Sequence, residues 1–116
     1  MKPKYNLFKN TLYAISGFFY VIKERAFQLE LLAFGIAVII LFFLSYPLWA
    51  KIFMFASLLI PLIVESLNTA IERNVDLVTK EFHPLAKEAK DIASFSVMLS
   101  LIVPISVWSG FILYFN

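Results

Sequence analysis

The residue types able to do chemistry are concentrated in one short stretch of this 116-residue chain. In "VESLNTAIERNVD", Glu65, Asn68, Glu72 and Asp76 follow one another at steps of three, four and four residues. At about 100° per residue, those steps place all four side chains on one narrow stripe of an α-helix. No basic residue shares the face of Glu65, Asn68 and Glu72 within one turn, so the stripe is not an ordinary i,i+4 ion-pair ladder. Carboxylates beside an amide oxygen suit a hard cation such as Mg²⁺, which takes one or two protein carboxylates and completes its shell with water and phosphate oxygens. A soft metal is disfavoured by residue type, because the chain has no cysteine and a single histidine, His83.

A second stretch, "HPLAKEAKD", supplies Lys87 and Lys90 beside Asp91. Cations so placed hold phosphate without a glycine-rich loop, and neither a Walker A motif nor a kinase-type glycine loop is present. Together the two stretches contain the parts of a phosphoryl-transfer site: metal-holding acids, a lysine for phosphates and a carboxylate to accept a hydroxyl proton. Glu65 lies deepest in the apolar run and is the candidate for that last role, since desolvation of its charged form favours general-base work. Glu81 and Glu88 read more simply as solvated charges in a connecting segment.

These residues must be positioned by elements that are mostly apolar. The chain is 61% hydrophobic with thirteen phenylalanines and only three glycines, and its mean hydropathy is +0.84. A soluble domain of this length cannot bury that much apolar surface, which implies an all-α integral membrane protein forming a single membrane domain. Three spans are expected, over residues 26–46, 48–80 and 92–115, with the second continuing past the bilayer into the acidic stripe. Residues 1–25 show their own helical pattern, suited to an amphipathic helix lying in the membrane surface, and 81–91 form a polar loop. Pro61 and Pro104 fall inside spans, where neighbouring helices compensate for the missing donor. Lys2, Lys4 and Lys9 precede an apolar run without a cleavage site of the usual kind, so that segment is expected to be retained. Lysine and arginine cluster before the first span and between the second and third, which predicts a cytoplasmic N-terminus and polar loop and an outer C-terminus. Tyr46, Trp49 and Tyr114 then fit an outer aromatic belt. All eight acids fall at or near the cytoplasmic side of that topology, among them Glu30 at the start of the first span. The net charge of +2 gives no reason to expect a nucleic-acid partner.

"ERAFQLE" (Glu24 to Glu30), "VESLNTAIERNVD" and "EFHPLAKEAKD" (Glu81 to Asp91) together resemble the signature of the small bacterial integral-membrane diacylglycerol kinases, which share a family with undecaprenol kinases. The resemblance covers nearly the whole chain, with the three motifs in the family's order and spacing. It implies an ATP-dependent lipid kinase of the bacterial inner membrane: a homotrimer of subunits with three transmembrane helices and a surface helix, its active sites built between subunits. By that resemblance Glu65 accepts the proton of the lipid hydroxyl, while Glu24 and Glu72 hold Mg²⁺ with Asn68 close by. Lys90, Asp91 and the segment Glu81, Phe82, His83 match nucleotide-contacting positions, and Tyr13 matches another through a one-residue gap. Ala26, Phe27 and Gln28 match a lipid-contacting segment, with Asp76 and Glu30 in supporting positions.

Two positions depart from the family pattern. Gln28 stands where arginine is common, and Phe95 where small residues are common. "ERAFQLE" is more like the diacylglycerol enzymes, whereas "DLVTKEFHPLAKEAKD" also resembles the undecaprenol enzymes; diacylglycerol is the favoured substrate. Two readings of another class compete, a cation-conducting subunit whose acidic stripe lines an ion path and a structural subunit whose stripe docks a partner. The lack of acids in the outer half of the spans argues against an ion path.

Overall fold

The computed structural model describes residues 4–116, and these form four helices with no strand among them. Lys2, part of the expected basic N-terminus, lies outside the described residues. The helices are α1 (Leu7–Val21), α2 (Arg25–Phe43), α3 (Leu48–Val78) and α4 (Pro84–Phe115). The last three are long and apolar enough to cross a membrane. At 1.5 Å per residue, α2 is about 28 Å long, close to the hydrocarbon thickness, while α3 and α4 exceed it by roughly ten residues each.

Local chemistry sets the element ends. Asn6 caps α1, its side chain accepting from the Lys9 N–H at 3.1 Å. The chain then turns over Ile22 to Glu24, where the Glu24 N–H bonds back to the Val21 carbonyl at 3.0 Å. Glu24 adopts extended backbone and α2 begins immediately after it. The first span stops at Phe43, short of the expected Tyr46: Leu44 already takes extended backbone, and Pro47 disfavours a return to helix at Tyr46. The third span's helix starts well before the expected residue 92. His83 caps α4 through Nδ1, which accepts from the Leu85 N–H at 3.1 Å, and Pro84 occupies the first turn, where its missing donor costs nothing. Most of the expected loop over 81–91 is therefore helix, and only Thr79 to His83 connect α3 to α4.

With so short a connection α4 runs back along α3, and α2 packs less extensively on α3. Where the helices meet, the side chains are small or flexible: Ala50 and Met54 are fully buried and Ala93 nearly so. Small residues allow the close approach on which van der Waals packing between membrane helices depends. Trp108 on α4 adds a directional bond, its indole N–H donating to the Met54 carbonyl at 3.1 Å. At the far end from the acidic stripe, Tyr46 stacks on Phe115 at 4.7 Å and Trp49 meets Phe111 edge-on. The Asn116 amide donates to the Tyr46 hydroxyl at 2.7 Å, closing that end. Most other large apolar side chains face outward, as lipid or neighbouring chains require.

Candidate active site

The acidic stripe forms as its spacing predicts. Glu65 and Asn68 lie on the buried face of α3, only 5% and 7% exposed. One turn on, the Asn68 side-chain amide donates to Glu72 Oε1 at 3.2 Å, which aims that carboxylate back along the stripe. One further turn on, Asp76 accepts from the Lys90 ammonium of α4 at 2.8 Å. The fold thus brings Lys90 to the stripe, within electrostatic range of Glu72 as well.

Glu24 reaches the same region from the junction of α1 and α2. It is the N-cap of α2 but makes no side-chain cap bond; its Oε1 pairs with Arg73 on α3 at 2.9 Å. Glu24 and Glu72 lie within electrostatic range of Glu65, and Glu65 in turn lies within range of Glu30 on α2. Two buried side-chain oxygens in this region have no hydrogen-bond partner, Asn68 Oδ1 and Glu30 Oε1. Buried polar atoms are nearly always paired, so an orphan inside a charged site calls for a ligand or ion. Glu30 also edges a cleft of about 290 Å³ between α2, α3 and α4, whose walls include Ala33, Phe34, Pro61, Pro104 and Trp108. That cleft is apolar apart from the carboxylate.

Around the α3–α4 connection, Glu81, Phe82, His83, Lys87, Lys90 and Asp91 line a single concavity of about 460 Å³. The sequence-matched nucleotide positions on this connection are therefore brought together. Lys87 pairs with Asp91 at 2.5 Å. Both lysines precede the apolar stretch that begins at Ile92, and the hydrogen bonds to Asp91 and Asp76 raise the pKa of Lys87 and Lys90 respectively. Both ammonium groups therefore remain charged.

The remaining matched positions are more dispersed. Tyr13 is partly exposed on α1, apart in sequence from the connection that forms the concavity. Ala26 and Gln28 are exposed, whereas Phe27 is only 5% exposed and meets Phe18 edge-on at 6.4 Å. Gln28 has a role its sequence position does not disclose, since its amide donates to the Ile22 carbonyl at 2.8 Å and staples the α1–α2 turn. Arg73 was also not singled out by spacing, because its partner lies 49 positions away in the chain. Among the described residues no three His, Asp or Glu side chains converge closely enough to hold a metal ion unaided. Two carboxylates and an amide suit instead an ion that arrives with part of its shell already filled by phosphate.

A family model for prokaryotic diacylglycerol kinase matches residues 12–112. The chain is similar to the diacylglycerol kinase of Escherichia coli (strain K12), at 37% identity over 87 residues, covering 75% of this chain and 71% of that protein. It is similar also to the diacylglycerol kinase of Sinorhizobium sp, at 34% identity over 111 residues, covering 96% and 80%. The Haemophilus influenzae diacylglycerol kinase is 36% identical over 111 residues, covering 95% and 93%. On these matches, the chain belongs to the prokaryotic diacylglycerol kinase family.

Proposed function

We propose that this protein is a diacylglycerol kinase, transferring the γ-phosphoryl group of ATP to the primary hydroxyl of diacylglycerol to give phosphatidic acid. The observation that carries the reading is the buried Glu65 on a stripe that leads through Glu72 and Asp76 to Lys90, in a chain of this family. Glu65 takes the hydroxyl proton, the freed oxygen bonds to the γ-phosphorus, and the bond from that phosphorus to the β–γ bridging oxygen breaks to release ADP. Lys90 holds the phosphates, and the concavity around Glu81, Phe82, His83 and Asp91 receives the rest of the nucleotide. Tyr13 adds a contact from α1.

Glu24 and Glu72 would hold Mg²⁺, with Asn68 Oδ1 turned toward it. The fit is supported by the orphaned, buried Asn68 oxygen beside Glu72 and by a donor set made only of oxygen. The ion supplies positive charge that offsets the phosphates as the γ-group leaves. Ala26 and Gln28 face the lipid substrate. Asp76 fixes Lys90, and Glu30 marks the mouth of the apolar cleft.

The same reading places the protein in the bacterial inner membrane as a homotrimer, with α1 on the cytoplasmic surface and the site on that side. Support comes from the lysine and arginine distribution and from the wide apolar exterior of α2 and α4. The decisive experiment measures phosphate transfer from labelled ATP to diacylglycerol and to undecaprenol, side by side, by purified protein in mixed micelles with Mg²⁺. Preferential labelling of diacylglycerol is expected. Preferential labelling of undecaprenol would move the substrate, and labelling of neither lipid would overturn the kinase reading.

A further inference from the structure

Arg73 follows Glu72 directly on α3, but its guanidinium turns to the junction of α1 and α2. One nitrogen, Nη2, donates to Glu24 Oε1 at 2.9 Å and reaches the Tyr20 carbonyl at 3.5 Å. The contact diverts the Glu24 carboxylate from the first-turn N–H groups of α2, the usual partners of an acid at an N-cap. Both side chains are nearly half exposed, at 49% and 41%, so the pair is weak enough to exchange in water. The guanidinium also edges a groove of about 490 Å³ between α1 and α3, walled by Ala14, Gly17, Ser66 and Thr69. It therefore has open space to turn into when Glu24 is taken by another partner.

We propose that Arg73 is a specificity residue that makes the site favour the cation–nucleotide complex over the free cation. The inference rests on the reading of Glu24 as a carboxylate of the cation site. A bare divalent ion approaching Glu24 must displace a fixed positive charge and then remain close to it, which is unfavourable on both counts. A cation carried by ATP brings phosphate oxygens, and these re-pair the displaced guanidinium through charge-assisted hydrogen bonds. Arg73 thus exchanges one anionic partner for another only when nucleotide is present. Lys87 and Lys90 pair instead with Asp91 and Asp76 at the α3–α4 connection, so the cation bonded to Glu24 is Arg73.

The test is Mn²⁺ binding by electron paramagnetic resonance, alone and with a non-hydrolysable ATP analogue, on full-length wild-type protein and its variants in micelles. In Arg73→Gln, free Mn²⁺ should bind about threefold to tenfold more tightly and the Mn²⁺–analogue complex more weakly by a similar factor. Arg73→Lys keeps the charge and should stay within about threefold of wild type on both measures. Free-ion affinity that is unchanged or weaker in Arg73→Gln, or both affinities moving in the same direction, would overturn the proposal. Glu24→Gln separates the two levels of inference. Loss of ion binding there upholds the cation reading whatever Arg73 does, whereas wild-type ion binding in Glu24→Gln removes that reading and the Arg73 proposal with it.

Discussion

In the proposed reaction Glu65 is the general base, and it has two properties that suit the role: burial, and a place on the same helical stripe as Asn68 and Glu72. Replacing it with glutamine keeps the shape and hydrogen-bonding capacity of the side chain and removes only the proton acceptor. Glu65→Gln should lower kcat by about 10²–10⁴-fold while nucleotide affinity stays within about twofold, measured by steady-state turnover and by analogue binding on the same preparation. An equal loss of nucleotide affinity would assign Glu65 to binding. At this scale the sequence was informative about Glu65, Asn68, Glu72 and Asp76, because one helix carries them all and 3.6-residue periodicity fixes their common face. It was silent about the Glu24–Arg73 and Lys90–Asp76 pairs, whose members come from different helices.

The elements that hold the site have little shape-specific packing to rely on, and the interface of α3 with α4 depends on a few buried residues. In lipid the helices gain nothing from leaving water, so close packing and single hydrogen bonds weigh more. The Trp108 indole bonding the Met54 carbonyl is the clearest such link, and Pro61 and Pro104 lie close by along the same two helices. Trp108→Phe keeps the ring and deletes the donor. It should destabilise the folded protein by about 0.6–1.5 kcal/mol, read from unfolding in mixed micelles at constant detergent composition, with kcat unchanged. The break between the first two spans was legible at Pro47, whereas the helix starts after Asn6 and at Pro84 were not, the first helix being expected over 1–25 and a loop over 81–91. The long helical lead of α4 ahead of its apolar stretch was less legible, because "AKEAKD" is polar enough to read as loop, although alanine and lysine are good helix formers.

At the scale of the whole molecule, three spans cover little interior. Among the described residues only a handful of apolar side chains are buried, while large ones such as Phe42, Phe43, Leu113 and Tyr114 are about four-fifths exposed. Lipid can solvate that surface, but the buried Glu65 and the orphaned Glu30 oxygen need polar company, and the proposed homotrimer would supply it from a neighbouring subunit. Native mass spectrometry from a mild detergent should find three copies of the 13.3 kDa chain, about 40 kDa, as the main species. A monomer that retains full turnover would refute the oligomeric reading.

By itself the sequence determined that this chain is helical and apolar enough to span a membrane three times, and that one helix carries an aligned stripe of acids. Those properties follow from composition and from the period of a single helix, and both are written locally. The tertiary structure decided which groups meet across helices: Glu24 against α3, Lys90 on Asp76, Glu30 within electrostatic range of Glu65, and Glu81, Phe82, His83, Lys90 and Asp91 gathered around one short connection. The register of one helix on another is set by how Ala50, Met54 and Ala93 allow the backbones to approach and where Trp108 finds its acceptor. That balance of many weak contacts is not encoded in any single motif.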